Sequence, residues 1–216
     1  MVRRQERDPL SSERIIQAAM ALADREGLEA VSMRRVGAEL GVEAMSLYRH
    51  VPNKDALLKG MHALMLTEVR HHDGAEGDWK ERLRVVMQSL RHVYLAHPEI
   101  AQLAAKTTPR EVAFIHFEQD LATMADAGFD PEEAGYALRS LLSFTTGFVM
   151  REIAALSRGP DRLEEESPSA RRALADYPNL RASYPYLVGT KRAQAFEYGL
   201  ERMLAGIELE RTKSRS

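Results

Sequence analysis

The chain has 216 residues, of which 44% are hydrophobic, 29% charged and only 6% aromatic, and its net charge is −2. That is enough chain for one large or two small domains with a real core, and its wealth of Ala, Leu, Arg, Glu and Met favours helices over sheets. The absence of cysteine excludes disulfide frameworks and thiolate metal sites. No apolar run approaches the roughly 18 residues that a membrane span needs. The charged start MVRRQERDPL lacks the apolar stretch of a signal peptide, so the expected location is cytoplasmic. The first 60 residues carry 10 Lys/Arg against 9 Asp/Glu, and the remainder 20 against 23. That imbalance has the right sign for an N-terminal contact with nucleic acid but is too small to argue it, so local placement must carry the case.

Residues 1–10 read as a polar tail in which Arg3, Arg4 and Arg7 could brush a DNA backbone. A first helix is expected over 12–25, with Ser11 or Ser12 as N-cap, Ile15, Ala19 and Leu22 at helical spacing, and Gly27 as terminator. A second is expected over 33–40, capped by Ser32. Arg34 and Arg35 stand in its first turn, where the helix dipole disfavours cations and a phosphate would offset the cost. Gly41 breaks it. A short third helix is expected over 43–50, stopped by Val51-Pro52 because the residue before proline avoids helical backbone. Asn53 caps a fourth, carrying Leu57, Leu58, Met61, Leu64 and Met65. The polar stretch 71–78 marks a domain joint. His71, His72 and Asp73 within it are read as solvated rather than as a metal site.

From Trp79 onward the pattern stays helical. Leu83, Val86, Met87, Leu90 and Val93 form one stripe that ends at His97-Pro98, and 98–105 could form a short helix. Thr108-Pro109-Arg110-Glu111 and Asp130-Pro131-Glu132-Glu133 are both start signals, with a cap, a proline at the first helical position and a nearby acid. The helices they open end at Gly128 and near Leu156. Residues 157–190 break the pattern with Gly159, Pro160, Pro168, Pro178, Pro185 and Gly189; a helix could form over about 168–176, and the stretch reads as mobile or functional. A last helix is expected over 191–210, leaving 211–216 as a tail. No internal repeat is visible. The fold class is therefore all-α, with an N-terminal helix-turn-helix domain over 1–65 and a C-terminal helical bundle over 66–210.

Three helices in about 50 residues, with a glycine turn between the second and third, make the helix-turn-helix arrangement. Ala38 is read as the small residue at the helix crossing, with Val36, Val42 and Leu47 burying the elbow. The segment VSMRRVGAELGVEAMSLYRHVPNKDALL, residues 31–58, closely resembles the DNA-binding domain of the TetR family of transcription regulators. The resemblance extends over about 12–65, and the later helices resemble the family's tetracycline-repressor type of C-terminal domain. It implies that Ser32 and Arg34 touch phosphates, and that Ala44, Met45 and Ser46 enter the major groove. It also implies that Tyr48 and His50 hold phosphates and that Lys54 clamps one beside its helix N-terminus. Arg49 stands where the family commonly has an aromatic residue and could reach a base or a phosphate. Ala44 and Met45 offer only apolar contacts, for example with a thymine methyl, which makes Ser46, Arg34 and Arg49 the better candidates for base hydrogen bonds.

By the same resemblance, the helices around 135–156 and 191–210 would pair with their twins in a homodimer, with Ser140 and Gly147 permitting close approach or packing within one subunit. A moderately apolar small-molecule effector would sit among Met87, His92, Phe114, Phe117, Phe144, Phe148 and Met150. The expected function is a ligand-responsive regulator, a repressor bound to double-stranded palindromic operator DNA and released by its effector. Gly60 is compatible with a bend in the fourth helix that would transmit the change. No cofactor, metal or membrane partner is implied. Two alternatives share the sequence pattern: an activator of the same architecture, and a helical sensor that does not touch DNA. An enzyme is disfavoured because no glycine-rich phosphate loop, no zinc-spaced histidine pair and no nucleophile-base arrangement is visible.

Overall fold

Three polar side chains open the helices of the N-terminal region. Ser11 accepts from Arg14 N at 3.2 Å, Ser32 from Arg35 N at 3.3 Å and Asn53 from Ala56 N at 2.8 Å. Each satisfies a backbone donor that the first helical turn leaves without an internal partner. The computed structural model describes residues 9–71, 77–105, 110–157, 174–188 and 191–214. Arg3, Arg4, Arg7, His72, Asp73, the Thr108-Pro109 start signal and the proline-bearing stretch 158–173 lie outside them. Helices run over α1 Ser12–Glu26, α2 Met33–Leu40, α3 Ala44–Leu47, α4 Lys54–Leu66, α5 Trp79–Ala96, α6 Pro98–Ala101, α7 Arg110–Asp126, α8 Pro131–Ser157, α9 Pro178–Val188 and α10 Arg192–Ser214. Short 3₁₀ helices occupy Leu28–Ala30 and Gln102–Ala105. Among the described residues there is no strand.

The chain divides into two compact units, one of residues 1–70 and 92–117 and the other of 71–91 and 118–216. The first therefore takes in a stretch, 92–117, that the sequence reading assigned to the C-terminal domain. In this unit α1 packs on α2 and α4, and α6 on α1 and α4. The core is Ile15, Leu22, Val36, Leu47, Leu57, Met61 and Ile100, all fully buried. Each such side chain contributes on the order of 1.5–3 kcal/mol of hydrophobic stabilisation. In the second unit α8 packs along α10. Leu83 and Met87 of α5, Leu141 and Val149 of α8, and Phe196 and Leu200 of α10 are all buried there. Trp79 meets Phe129 edge-on at 4.9 Å, and its indole N–H donates to Glu208 at 3.0 Å.

Four local expectations need correction. The third helix is shorter than 43–50: α3 is a single turn, and residues 48–50 form hydrogen-bonded turns in which His50 N and Val51 N both donate to Leu47 O at 2.9 Å. The stretch 157–190 contains a helix, α9. Its Pro178 stands at the first helical position, which needs no N–H donor, so only Pro185 lies inside it. The last helix continues through most of the supposed tail, to Ser214. His71 is not solvated: it is largely buried, 3.7 Å from the buried carboxylate of Asp120.

Candidate nucleic-acid interface

The turn between α2 and α3 is made by two glycines with different tasks. Gly41 closes α2 with φ 67° and ψ 35°, the left-handed region that favours glycine. Its N–H donates to Ala38 O at 3.2 Å, and the next N–H, of Val42, to Gly37 O at 2.9 Å. Gly37 is the residue at the crossing. A Cβ there would stand 2.9 Å from Val42 O and 3.3 Å from Ala44 N. Ala38, given that role from the sequence, is exposed. Val36 and Leu47 are buried and Val42 half-buried, so the elbow packs as expected.

With Leu47 turned inward, the rest of the segment faces out. Met45 is 74% exposed, a large apolar side chain left in water at the first turn of α3. Ala44 and Ser46 are half-buried on either side of it, and Tyr48, Arg49 and His50 are exposed on the turns that follow. The His50 carbonyl is held by Ser12 Oγ, which donates to it at 3.0 Å. This tie between the start of α1 and the end of the recognition segment spans 38 positions and leaves no local signal in the sequence.

Three acids near the interface, Glu26, Glu39 and Asp55, are paired with basic residues other than those expected to hold DNA, whereas Glu43, exposed just before α3, has no ion pair among the described residues. Glu26 pairs with Arg35 and, at 3.1 Å, with Arg25, whose guanidinium also reaches Glu39 at 2.7 Å. The Arg35 and Arg25 hydrogen bonds hold the Glu26 carboxyl below the usual carboxylate range. Asp55 pairs with Lys59 at 2.7 Å. Arg34, Arg49 and Lys54 are exposed, and none forms an ion pair among the described residues. Ser32, half-buried, spends its oxygen on the α2 cap while keeping a hydroxyl proton to donate. Unpaired cations around a short helix that presents Met45 give a surface suited to phosphates on its flanks and to base edges at its centre.

Comparison with known proteins decides what this surface belongs to. Residues 15–61 match the family described as "Bacterial regulatory proteins, tetR family", and residues 73–211 match "Tetracyclin repressor-like, C-terminal domain". The chain belongs to the TetR family. Among its relatives is the tetracycline repressor protein class D of Escherichia coli, 31% identical over 210 residues that cover 94% of this chain and 91% of that one. Another is the transcriptional repressor DrrR1 of Streptomyces coeruleorubidus, 32% identical over 235 residues that cover 96% of this chain and 82% of that one. The crystal structure of Streptomyces coelicolor ActR in complex with actinorhodin superposes with a TM-score of 0.78 at 30% identity, covering 94% of this chain and 98% of that one.

In this TetR-family chain four of the residues expected to line an effector site, Met87, Phe144, Phe148 and Met150, belong to the second unit. Phe144 and Phe148 are half-buried on α8, their rings 5.8 Å apart. Both meet Phe196 of α10, Phe144 stacked at 5.6 Å and Phe148 edge-on at 5.5 Å. Phe196 is missing from the sequence-based set because its spacing marks it only as core. Arg91 lies 5.3 Å over the Phe196 ring and is held by two hydrogen bonds to the buried Glu152, at 2.7 and 3.0 Å. Met87 is buried and Met150 half-buried in the same unit. His92, Phe114 and Phe117 instead belong to the first unit and are all exposed, Phe114 by 63%.

Proposed function

We propose that the chain is a ligand-responsive transcriptional repressor that binds palindromic operator DNA as a homodimer and is released by a moderately apolar small molecule. The observation that carries this reading is the exposed segment Ala44–His50 with its unpaired cations, built on the family's DNA-binding motif. In this reading Ser32, Arg34, Tyr48, His50 and Lys54 hold phosphates, while Ala44, Met45, Ser46 and Arg49 meet base edges. The effector contacts Phe144, Phe148 and Phe196, with Met87 and Met150 as adaptable apolar neighbours. Relatives named as repressors, and a neighbour solved with actinorhodin, support the repressor and effector parts.

The dimer is supported by the outer faces of α8 and α10. Tyr136, Tyr198 and Leu209 are exposed there, and Cβ atoms added at Gly147 or Gly206 would meet nothing within 4 Å among the described residues. Ser140 is exposed as well. Small residues with open space above them fit a second helix approaching from another subunit rather than packing within one. No described helix is long and apolar enough to cross a membrane, which agrees with action in the cytoplasm, where operator DNA is found. Selection of bound duplexes from random DNA tests the reading: it is expected to return a palindrome with half-sites about 34–36 Å apart, one helical turn. Recovery of no common sequence would reject it.

A further inference from the structure

One histidine at the α5–α6 joint has no part in the DNA contacts above. His97 Nδ1 lies 3.1 Å from Asp24 Oδ2 and 3.3 Å from Oδ1, and its Nε2 lies 3.2 Å from Glu68 Oε2. Asp24 belongs to the last turns of α1 and Glu68 to the turn after α4, while His97 precedes the first residue of α6. Next to it, Glu99 of α6 accepts the backbone N–H of Leu28, just past α1, at 3.2 Å. One short segment thus grips the far ends of the two helices that carry the recognition segment. All four residues lie in the first unit.

The ring's chemistry sets a condition on this grip. Ionised carboxylates only accept hydrogen bonds, so a ring placed between two of them must donate from both nitrogens. Only imidazolium does so; a neutral ring donates from one nitrogen and turns a lone pair toward the other acid. Imidazole ordinarily changes charge between about pH 5 and 8, the interval in which a cell's pH moves. The charged groups facing this joint are Asp24 from α1, Glu68 beyond α4 and Glu99 from α6. All three are acids, and neither Asp24 nor Glu68 has another cationic partner among the described residues. Loss of one proton therefore breaks a bond and leaves like charges facing each other.

We propose that His97 is a proton-operated clamp on the DNA-reading unit: protonated, it locks the ends of α1 and α4 together, and deprotonated, it releases them and weakens operator binding. The sign follows from the partners. Both carboxylates accept from the doubly protonated ring and only one from the neutral ring, so the clamp is complete at the acid end of the interval and is lost as pH rises. A released unit must spend part of its binding free energy on ordering itself. The partly exposed position of the three side chains keeps the effect moderate, about three- to tenfold in affinity.

The affinity part of this inference rests on the DNA-binding reading, so the test has two arms on the full-length protein. In the first, ring ¹⁵N resonances of His97, assigned by their loss in His97→Gln, report protonation in the absence of DNA. Both nitrogens protonated at pH 6 and one at pH 8.5 is the expected result; a ring neutral at pH 6 overturns the clamp. In the second, affinity for the selected duplex is measured from pH 6 to 8.5 for wild type and Glu68→Gln. The glutamine amide can donate to the Nε2 lone pair while Nδ1–H still donates to Asp24, so this variant closes the clamp without the extra proton. It is expected to stay tight at pH 8.5 and to lack the three- to tenfold loss that wild type shows. His50, common to both proteins, cancels in the comparison. Identical pH profiles, or a Glu68→Gln variant that does not bind while wild type does, overturn the proposal, whereas failure of wild type to bind DNA at any pH rejects the DNA reading and leaves the resonances to decide the clamp.

Discussion

Arg34 and Arg35 are neighbours at the start of α2, and the structure assigns them different tasks. Arg35 is tied to Glu26, while Arg34 projects without an acid. Both sit where the helix dipole disfavours a cation; Glu26 compensates Arg35 within the protein, and the proposed phosphate contact would compensate Arg34. Met45 is the apolar counterpart: nothing in the fold explains a methionine 74% exposed, and a groove edge would cover it. Gly37 gives the sharpest prediction at this scale. Because its Cβ would meet backbone atoms rather than a side chain that can move, Gly37→Ala should lower stability by about 1–3 kcal/mol in urea unfolding, with operator affinity falling in parallel. An unchanged midpoint would show that α2 and α3 can separate freely. Gly60 differs from it, since a Cβ there would press on the Ile16 side chain, 2.5 Å from its Cδ1, rather than on backbone.

At the scale of helices, the local grammar of caps and breakers was readable. Ser32 and Gly41 bound α2 where the sequence places its ends, and Asn53 opens α4. Asn53→Ala should cost about 0.5–2 kcal/mol through loss of the cap, read as a lower unfolding temperature. Less legible were the features set by distant partners. α3 gives way to turns after Leu47, and the end of those turns is tied to α1 by Ser12, 38 positions away. α9 hides because Tyr177, Leu180, Tyr186 and Leu187 around it are all exposed, so no buried stripe marks it. The joining of α5 to α10 was equally invisible: Arg84 bonds Glu201 at 2.5 and 3.1 Å, and Gln88 bonds Glu197 at 2.8 Å. The Arg84 hydrogen bond holds the Glu201 carboxyl below its ordinary range. A lowered carboxylate contributes stability in full above its unfolded value and loses it as pH falls through the folded one. Glu201→Gln should therefore be less stable than wild type at pH 7, and the gap should close in acid below about pH 4, the ordinary carboxylate range. A gap independent of pH would mean that shape rather than charge matters at this contact.

For the whole molecule, the proposed function depends on two recognition segments being presented together. Gly147 offers a clean probe, because a Cβ there would meet nothing within 4 Å among the described residues. Gly147→Glu should leave the fold intact by circular dichroism yet shift sedimentation from dimer to monomer and abolish tight operator binding; a variant that remains dimeric would place the interface elsewhere. The central claim, that the outward residues of 44–54 read DNA, is tested most directly by measuring affinity for a panel of operators with single-base changes across a range of salt. Lys54→Ala is expected to weaken binding to every operator alike and to flatten the salt dependence, while Met45→Ala relaxes preference at one base pair in each half-site. Wild-type affinity, salt slope and base preference in both variants would contradict the account.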